Sequence, residues 1–229
     1  MNFLDRRSPP TATDPAIVLT AALAVCFTFI AWWTGTEAGS ALDRHLLLAL
    51  QSVGDTTSPR GPAWLNEAGR DLTALGSISV LTLSTALVTG WLLLTRQLSL
   101  ALGMLIVIAG GIAASFMLKW GFSQPRPDLV SEATQVFTSS FPSSHAMSSL
   151  VTFVALAAVL GRQGTLAAAR RYMIAAALIL SLVSGFSRVY LGVHWPSDVI
   201  GGWMAGAVWL LVADLGRRLL LTQMDRAKN

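Results

Sequence analysis

The sequence predicts an all-α, polytopic membrane protein with six transmembrane helices, organised as a single domain over residues 1–229. Three observations predict it. Only 12% of the 229 residues are charged and 53% are hydrophobic, whereas an average soluble domain carries about 25% charged residues. The mean hydropathy is +0.59. Uncharged runs recur at close to the ~20 residues a helix needs to cross a hydrocarbon core about 30 Å thick.

The first run, Pro15 to Gly35, carries no charge before Glu37. It exceeds the ~7–15-residue apolar core of a signal peptide, so it reads as a retained helix. The outer segment from Thr36 to Arg70 is longer than a tight turn needs. Within it, His45 to Gln51 reads as an amphipathic turn on the interface. Asp55 to Pro62 reads as a turn-rich link, and Trp64 to Asp71 leads into the second span and caps the region beyond it. Leu72 to Thr95 is the second span, Gln97 to Leu118 the third, and His145 to Gly161 the fourth. Tyr172 to Leu191 is the fifth and Pro196 to Leu215 the sixth, where Gly202 and Gly206 are spaced for helix packing. The polar tail after Leu221 reads as a frayed end.

Six spans place both termini on one side. Ten basic residues fall there: Arg6, Arg7, Arg96, Arg162, Arg170, Arg171, Arg217, Arg218, Arg226 and Lys228. Six fall on the other side: Arg44, Arg60, Arg70, Lys119, Arg126 and Arg188. The positive-inside rule puts both termini in the cytoplasm. A net charge of +4 dispersed between apolar spans fits orientation in a membrane and argues against a nucleic-acid partner. Cys26 is the only cysteine, which excludes an intramolecular disulfide or a cysteine metal cluster and leaves it a packing role.

The topology brings three polar stretches to the outer face: Lys119 to Pro127, Pro142 to His145, and Ser187 to Asp198. They supply the cations Lys119, Arg126 and Arg188, the histidines His145 and His194, and the carboxylate Asp198. Phosphoryl transfer needs positive charge around the non-bridging oxygens. Arginine can grip two of these oxygens and lysine adds a point charge. Pro142, Ser143 and Ser144 precede a helix start, where backbone N–H groups and the dipole favour an anion. One histidine can attack phosphorus while the other protonates the leaving oxygen. Asp198 lies one helical turn beyond His194 and can fix its tautomer, so His194 is the nucleophile and His145 the acid. No carboxylate cluster accompanies them, so the expected chemistry needs neither metal nor cofactor. Blander roles compete residue by residue. Lys119 and Arg126 can be interfacial anchors, Ser143 an N-cap, His145 a helix-start residue, and Asp214 a structural carboxylate near the inner face.

The ordered pattern Lys-x6-Arg-Pro, Pro-Ser-x-His, Ser-Arg-x5-His-x3-Asp, spanning Lys119 to Asp198, resembles the type 2 phosphatidic acid phosphatase family, which is related to vanadium-dependent haloperoxidases. The resemblance implies a membrane lipid phosphatase with a phosphohistidine intermediate on His194. It implies that Asp198 orients that ring, that His145 serves the leaving group, and that Lys119, Arg126, Ser143, Arg188 and the Ser144 backbone hold the phosphate. The implied substrates are lipid phosphates: undecaprenyl pyrophosphate, phosphatidylglycerol phosphate, phosphatidic acid or lipid A phosphate. By the same analogy the protein belongs in a bacterial inner membrane, with its site on the periplasmic side and membrane lipids around it. Ser144 departs from the glycine usual between the serine and histidine of the middle motif, which puts a close or left-handed backbone approach in doubt. Readings from other classes are a lipid phosphotransferase, an anion or phosphate transporter, and a non-catalytic headgroup binder.

Overall fold

The computed structural model describes residues 10, 11, 13–128, 139–162 and 166–227. Arg6, Arg7 and Lys228, three of the basic residues used for orientation, lie outside them. The described chain forms α1 (Pro15–Trp33), α2 (Glu37–Leu48), β1 (Gln51–Ser52), β2 (Asp55–Pro59), α3 (Ala63–Ala74), α4 (Ile78–Leu94), α5 (Leu98–Trp120), α6 (Ser144–Leu160), α7 (Ala167–Tyr190) and α8 (Pro196–Arg226).

Helices α1, α5, α7 and α8 are each long and apolar enough to cross a membrane. Helices α3 and α4 make a fifth candidate if they count as one span, bent by 51° at a short break. The continuous span expected from Leu72 is therefore interrupted. Ser77 caps α4 by accepting from the Val80 N–H, and Gly76 before it lets the chain turn close to α7. Helix α6 is shorter, at 17 residues.

Helix α6 is the centre of the bundle and touches α4, α5, α7 and α8. Twelve of its 17 residues are buried. Ala155, Leu156 and Val159 pack against Leu92 of α4 and Ala101, Met104 and Ile108 of α5. Phe153 and Ala157 pack against Leu81 and Ala177. By contrast α1 is apolar on every face and buries only Ala16, leaving Val25, Phe29 and Trp32 exposed, as a lipid-facing helix does. The expected glycine contact in the last helix is present. A Cβ on Gly202 would lie 2.5 Å from the Ser143 carbonyl oxygen, and one on Gly201 2.5 Å from the Phe141 ring. These glycines let α8 press against the start of α6.

The remaining differences are local. Residues expected to be a turn-rich link form an antiparallel hairpin, β1 with β2, whose turn uses Gly54 at φ 90°. The amphipathic turn expected at His45 is part of the longer α2, which buries Gly39, Asp43 and Leu47 along one stripe. The expected frayed tail is helical through Arg226. Arg218 anchors it, because its Nη1 donates to Asp14 Oδ2 at 2.7 Å and its Nε lies 3.2 Å from Asp214 Oδ2. Asp14 also caps α1 by accepting from the Ala16 N–H at 2.9 Å. Asp214 thus has the structural role expected of it, and it also accepts from Arg217 at 2.8 Å.

Candidate active site

Four helix ends and two connecting segments build the site. Helix α7 stops through glycine. The Gly192 N–H reaches the Val189 carbonyl and the Val193 N–H the Arg188 carbonyl, each at 3.0 Å, with Gly192 at φ 71°. This is a Schellman stop, and it relies on a residue that adopts the left-handed region without strain. The His194 N–H also donates to the Arg188 carbonyl, at 3.2 Å. The helix stop that ends α7 therefore sets His194 beside Arg188.

His194 is 2% exposed and Asp198 is fully buried. Asp198 Oδ2 lies 3.1 Å from His194 Nδ1, accepts from the Trp195 N–H at 2.9 Å, and accepts a very short bond from the Ser140 hydroxyl. A carboxylate only accepts, so Nδ1 carries the proton and Nε2 presents a lone pair; the tautomer is assigned from this network. Arg126 Nη1 lies 3.3 Å from that Nε2 and donates to the Val193 carbonyl at 3.3 Å. The one-turn spacing of His194 and Asp198 read from the sequence is therefore a contact.

Lys119, in the last turn of α5, is buried. Its Nζ donates to the Ser139 carbonyl at 2.6 Å and lies 3.5 Å from that of Ser140, which ties α5 to the segment holding the triad serine. Arg188, in the last turn of α7, donates from Nη1 to Thr73 Oγ1 of α3 at 3.3 Å. His145 lies in the first turn of α6, within electrostatic reach of Arg188, His194, Arg126 and Lys119. Ser143 is the N-cap residue of α6 and Ser144 its first residue. The Ser143 N–H donates to the Asp198 carbonyl at 2.9 Å. The hydroxyls of Ser143 and Ser144 are buried and meet no hydrogen-bond partner among the described residues. All eight expected site residues thus converge on one end of the bundle.

The doubt about Ser144 resolves locally. Among described residues the non-glycine with positive φ is Arg96, at 59°, so Ser144 bears no left-handed strain. Among the same residues no three of His, Cys, Asp and Glu assemble.

Sequence reasoning missed Ser140, Thr73, Gly76 and Asp43. Ser140 sits in a run of serines with no spacing to select it. Thr73 and Gly76 lie at the α3–α4 break. A Cβ on Gly76 would come within 2.3 Å of Ser184 Oγ and 3.1 Å of His145 Cδ2. Asp43 had a legible signal, being a carboxylate on the buried stripe of an amphipathic helix.

Burial, reinforced by Arg188, Arg126 and Lys119, holds the His194 imidazole well below the ordinary histidine range. Burial also lowers Arg126 from the usual arginine value. The site favours a neutral, nucleophilic imidazole inside a cationic pocket.

Comparison with known proteins is concordant. The family model described as "PAP2 superfamily" matches residues 98–218. Phosphatidylglycerophosphatase B of Bacillus subtilis (strain 168) is 31% identical over 147 residues, 62% of this chain and 70% of that protein. The undecaprenyl-diphosphatase of Sulfolobus acidocaldarius is 33% identical over 121 residues, 51% of this chain and 53% of that protein. The crystal structure of a transmembrane PAP2-type phosphatidylglycerolphosphate phosphatase from Bacillus subtilis matches with a TM-score of 0.75 at 26% identity, covering 92% of this chain and 97% of that one. The family match begins at the first residue of α5 and contains all eight site residues.

Proposed function

Because this chain belongs to the PAP2 superfamily, we propose that it is an integral membrane phosphatase that releases phosphate from a lipid phosphate monoester or pyrophosphate. The observation that carries this reading is the His194–Asp198 pair, whose Nδ1–Oδ2 contact of 3.1 Å leaves Nε2 beside Arg126, with Lys119 and Arg188 within electrostatic reach.

The reaction then follows from the groups. Lys119, Arg126, Arg188 and the start of α6 bind the phosphoryl oxygens. His194 Nε2 attacks phosphorus, so a P–N bond forms as the P–O bond to the lipid breaks. His145 protonates the departing oxygen. Water then attacks the phosphohistidine, His145 takes its proton, the P–N bond breaks and inorganic phosphate leaves. Asp198 keeps the proton on Nδ1 and stabilises the imidazolium character that develops on the ring. Phosphate oxygens would satisfy the orphan hydroxyls of Ser143 and Ser144, which buried polar groups require.

Six crossings with the site at the outer face would take the four long helices, the bent α3–α4 pair and α6 as the sixth. Helix α6, at 17 residues, is about 25 Å long. Neighbouring helices enclose it, so it need not match the hydrocarbon thickness. Arg217 and Arg218 are engaged by Asp214 and Asp14. Eight other basic residues still belong to the inner set, against three outer ones that lie outside the site. This balance favours cytoplasmic termini and, in a bacterium, a periplasmic site in the inner membrane. The names of the relatives favour phosphatidylglycerol phosphate and undecaprenyl pyrophosphate over phosphatidic acid and lipid A phosphate.

Detergent-purified protein is expected to release phosphate from at least one of these four lipids with EDTA present. A folded protein that releases phosphate from none of them would overturn the reading. Gly76→Ala tests the packing behind the acid. Its methyl would crowd Ser184 and His145, so kcat/KM is expected to fall roughly tenfold to a hundredfold, as for a misplaced catalytic group. Unchanged kcat/KM would show that the α3–α4 break does not set His145.

A further inference from the structure

We propose that Asp43 is a positioning residue: from α2 it fixes the first turn of α8, and through that turn the Asp198 carboxylate on which His194 depends. The inference rests on the proposed phosphatase reading and adds a residue outside the segment matched by the family model.

The N-cap residue of helix α8 supplies no side-chain acceptor to the first helical turn. Its N-cap residue is Trp195 and its first helical residue Pro196. An indole only donates and proline has no N–H, so the Ser197 N–H is the first helical donor in need of an acceptor. Asp43 supplies that acceptor from another helix. Its Oδ1 accepts the Ser197 N–H at 3.0 Å, and its Oδ2 accepts a very short bond from the Ser197 hydroxyl. Asp43 is 5% exposed, and Leu47, one turn on, packs with Ala146, Val189 and Val199. The carboxylate is thus held rigidly, and its charge faces the positive end of the α8 dipole.

Ser197 precedes Asp198 directly. The Asp198 Oδ2 meets the Trp195 N–H, the Ser140 hydroxyl and His194 Nδ1 within this same turn. Losing Asp43 would orphan two buried donors on Ser197. The turn would then re-form around other acceptors, and Asp198 would swing away from His194. Asp43 reaches neither ring nitrogen itself, so its effect passes through Asp198.

The test uses full-length protein in detergent and compares wild type, Asp43→Ala, Asp198→Asn and the double variant. Alanine is used because asparagine would keep an acceptor for the Ser197 N–H. One readout is kcat and KM on whichever lipid phosphate wild type hydrolyses best. The other is the ¹⁵N spectrum of labelled histidine, with His45→Gln and His145→Gln used for assignment, which reports the His194 tautomer. Asp43→Ala leaves the identity of the charged groups around His194, namely Lys119, Arg126, Arg188, His145 and Asp198, unchanged. The expected result is a roughly tenfold fall in kcat with KM within about twofold, loss of Nδ1–H tautomer, and no further loss when Asp43→Ala is added to Asp198→Asn. Wild-type kcat and tautomer in Asp43→Ala, or an equal fold-loss in the Asp198→Asn background, would overturn the proposal. Ser197→Ala is a milder variant that keeps the N–H bond. If Asp43→Ala does not fold, unchanged kcat in Ser197→Ala overturns the proposal and a smaller fall supports it. If wild type hydrolyses no lipid, the phosphatase reading fails, and the tautomer readout still decides the role of Asp43.

Discussion

His194→Ala is expected to lower kcat by at least about 10⁴-fold, the scale on which loss of a covalent nucleophile is felt, while the protein remains folded. The argument is one of position. Nδ1 is committed to Asp198 at 3.1 Å, which leaves Nε2 as the atom proposed to attack, and Arg126 lies 3.3 Å from it. Among the described residues no other histidine contacts a carboxylate in this way; His145 stands at the start of α6. Acid-quenched single-turnover reactions with ³²P-labelled lipid phosphate should show label on wild-type protein and none on the variant. Persistent wild-type turnover would sink the nucleophile assignment. The pH profile follows from the same surroundings. Burial and three cations disfavour the protonated ring. Its basic form therefore survives as pH falls through the ordinary histidine value of about 6.5. The acid limb of kcat/KM, which reports free enzyme, should lie below that value. An acid limb at or above it would contradict the depressed imidazole.

The second large effect concerns stability and lies at the opposite end of the bundle. Asp14→Ala is expected to destabilise the protein by about 3 kcal/mol, the scale of breaking a buried ion pair from one side. Arg218 is 1% exposed, and Asp14 accepts from both of its terminal nitrogens, at 2.7 and 3.4 Å. Removing Asp14 leaves the guanidinium with Asp214 alone and uncaps α1 in the same stroke. The double variant Asp14→Ala with Arg218→Leu should recover part of the loss, because an apolar replacement removes the buried charge as well. Thermal unfolding in detergent measures both. An Asp14→Ala protein as stable as wild type would mean that Asp214 and lipid headgroups fully compensate.

The helical architecture and the convergence of the eight candidate site residues were legible because a membrane protein concentrates its polar chemistry. With 12% of residues charged, Lys119, Arg126, Arg188 and Asp198 stood out, and their spacing placed them at span ends. The one-turn relation of His194 to Asp198 needed only helical geometry. Other features depend on tertiary partners that hydropathy does not encode. Thr73 meets Arg188 across a distance of 115 residues, and Asp43 meets Ser197 across 154. The break at Gly76 and Ser77 carried a local signal, a glycine before an N-cap serine, which the surrounding apolar run obscured. The helical tail after Leu221 was misread because the buried partner of Arg218, Asp14, lies at the other end of the sequence.

The enclosure of α6 bears on how the chain is assembled. Ser148, Ser149 and Thr152 are buried in its middle, and Ser149 finds Ser181 of α7 at 3.2 Å. Such a helix gains less from hydrocarbon than its neighbours do, and the Ser149 hydroxyl meets a partner in α7, which is synthesised after it. A helix enclosed on this scale is expected to reach its final packing only once α7 and α8 have followed it. The residues that begin it, Ser143 to His145, belong to the candidate site, so that site is complete only when α8 has packed against the start of α6.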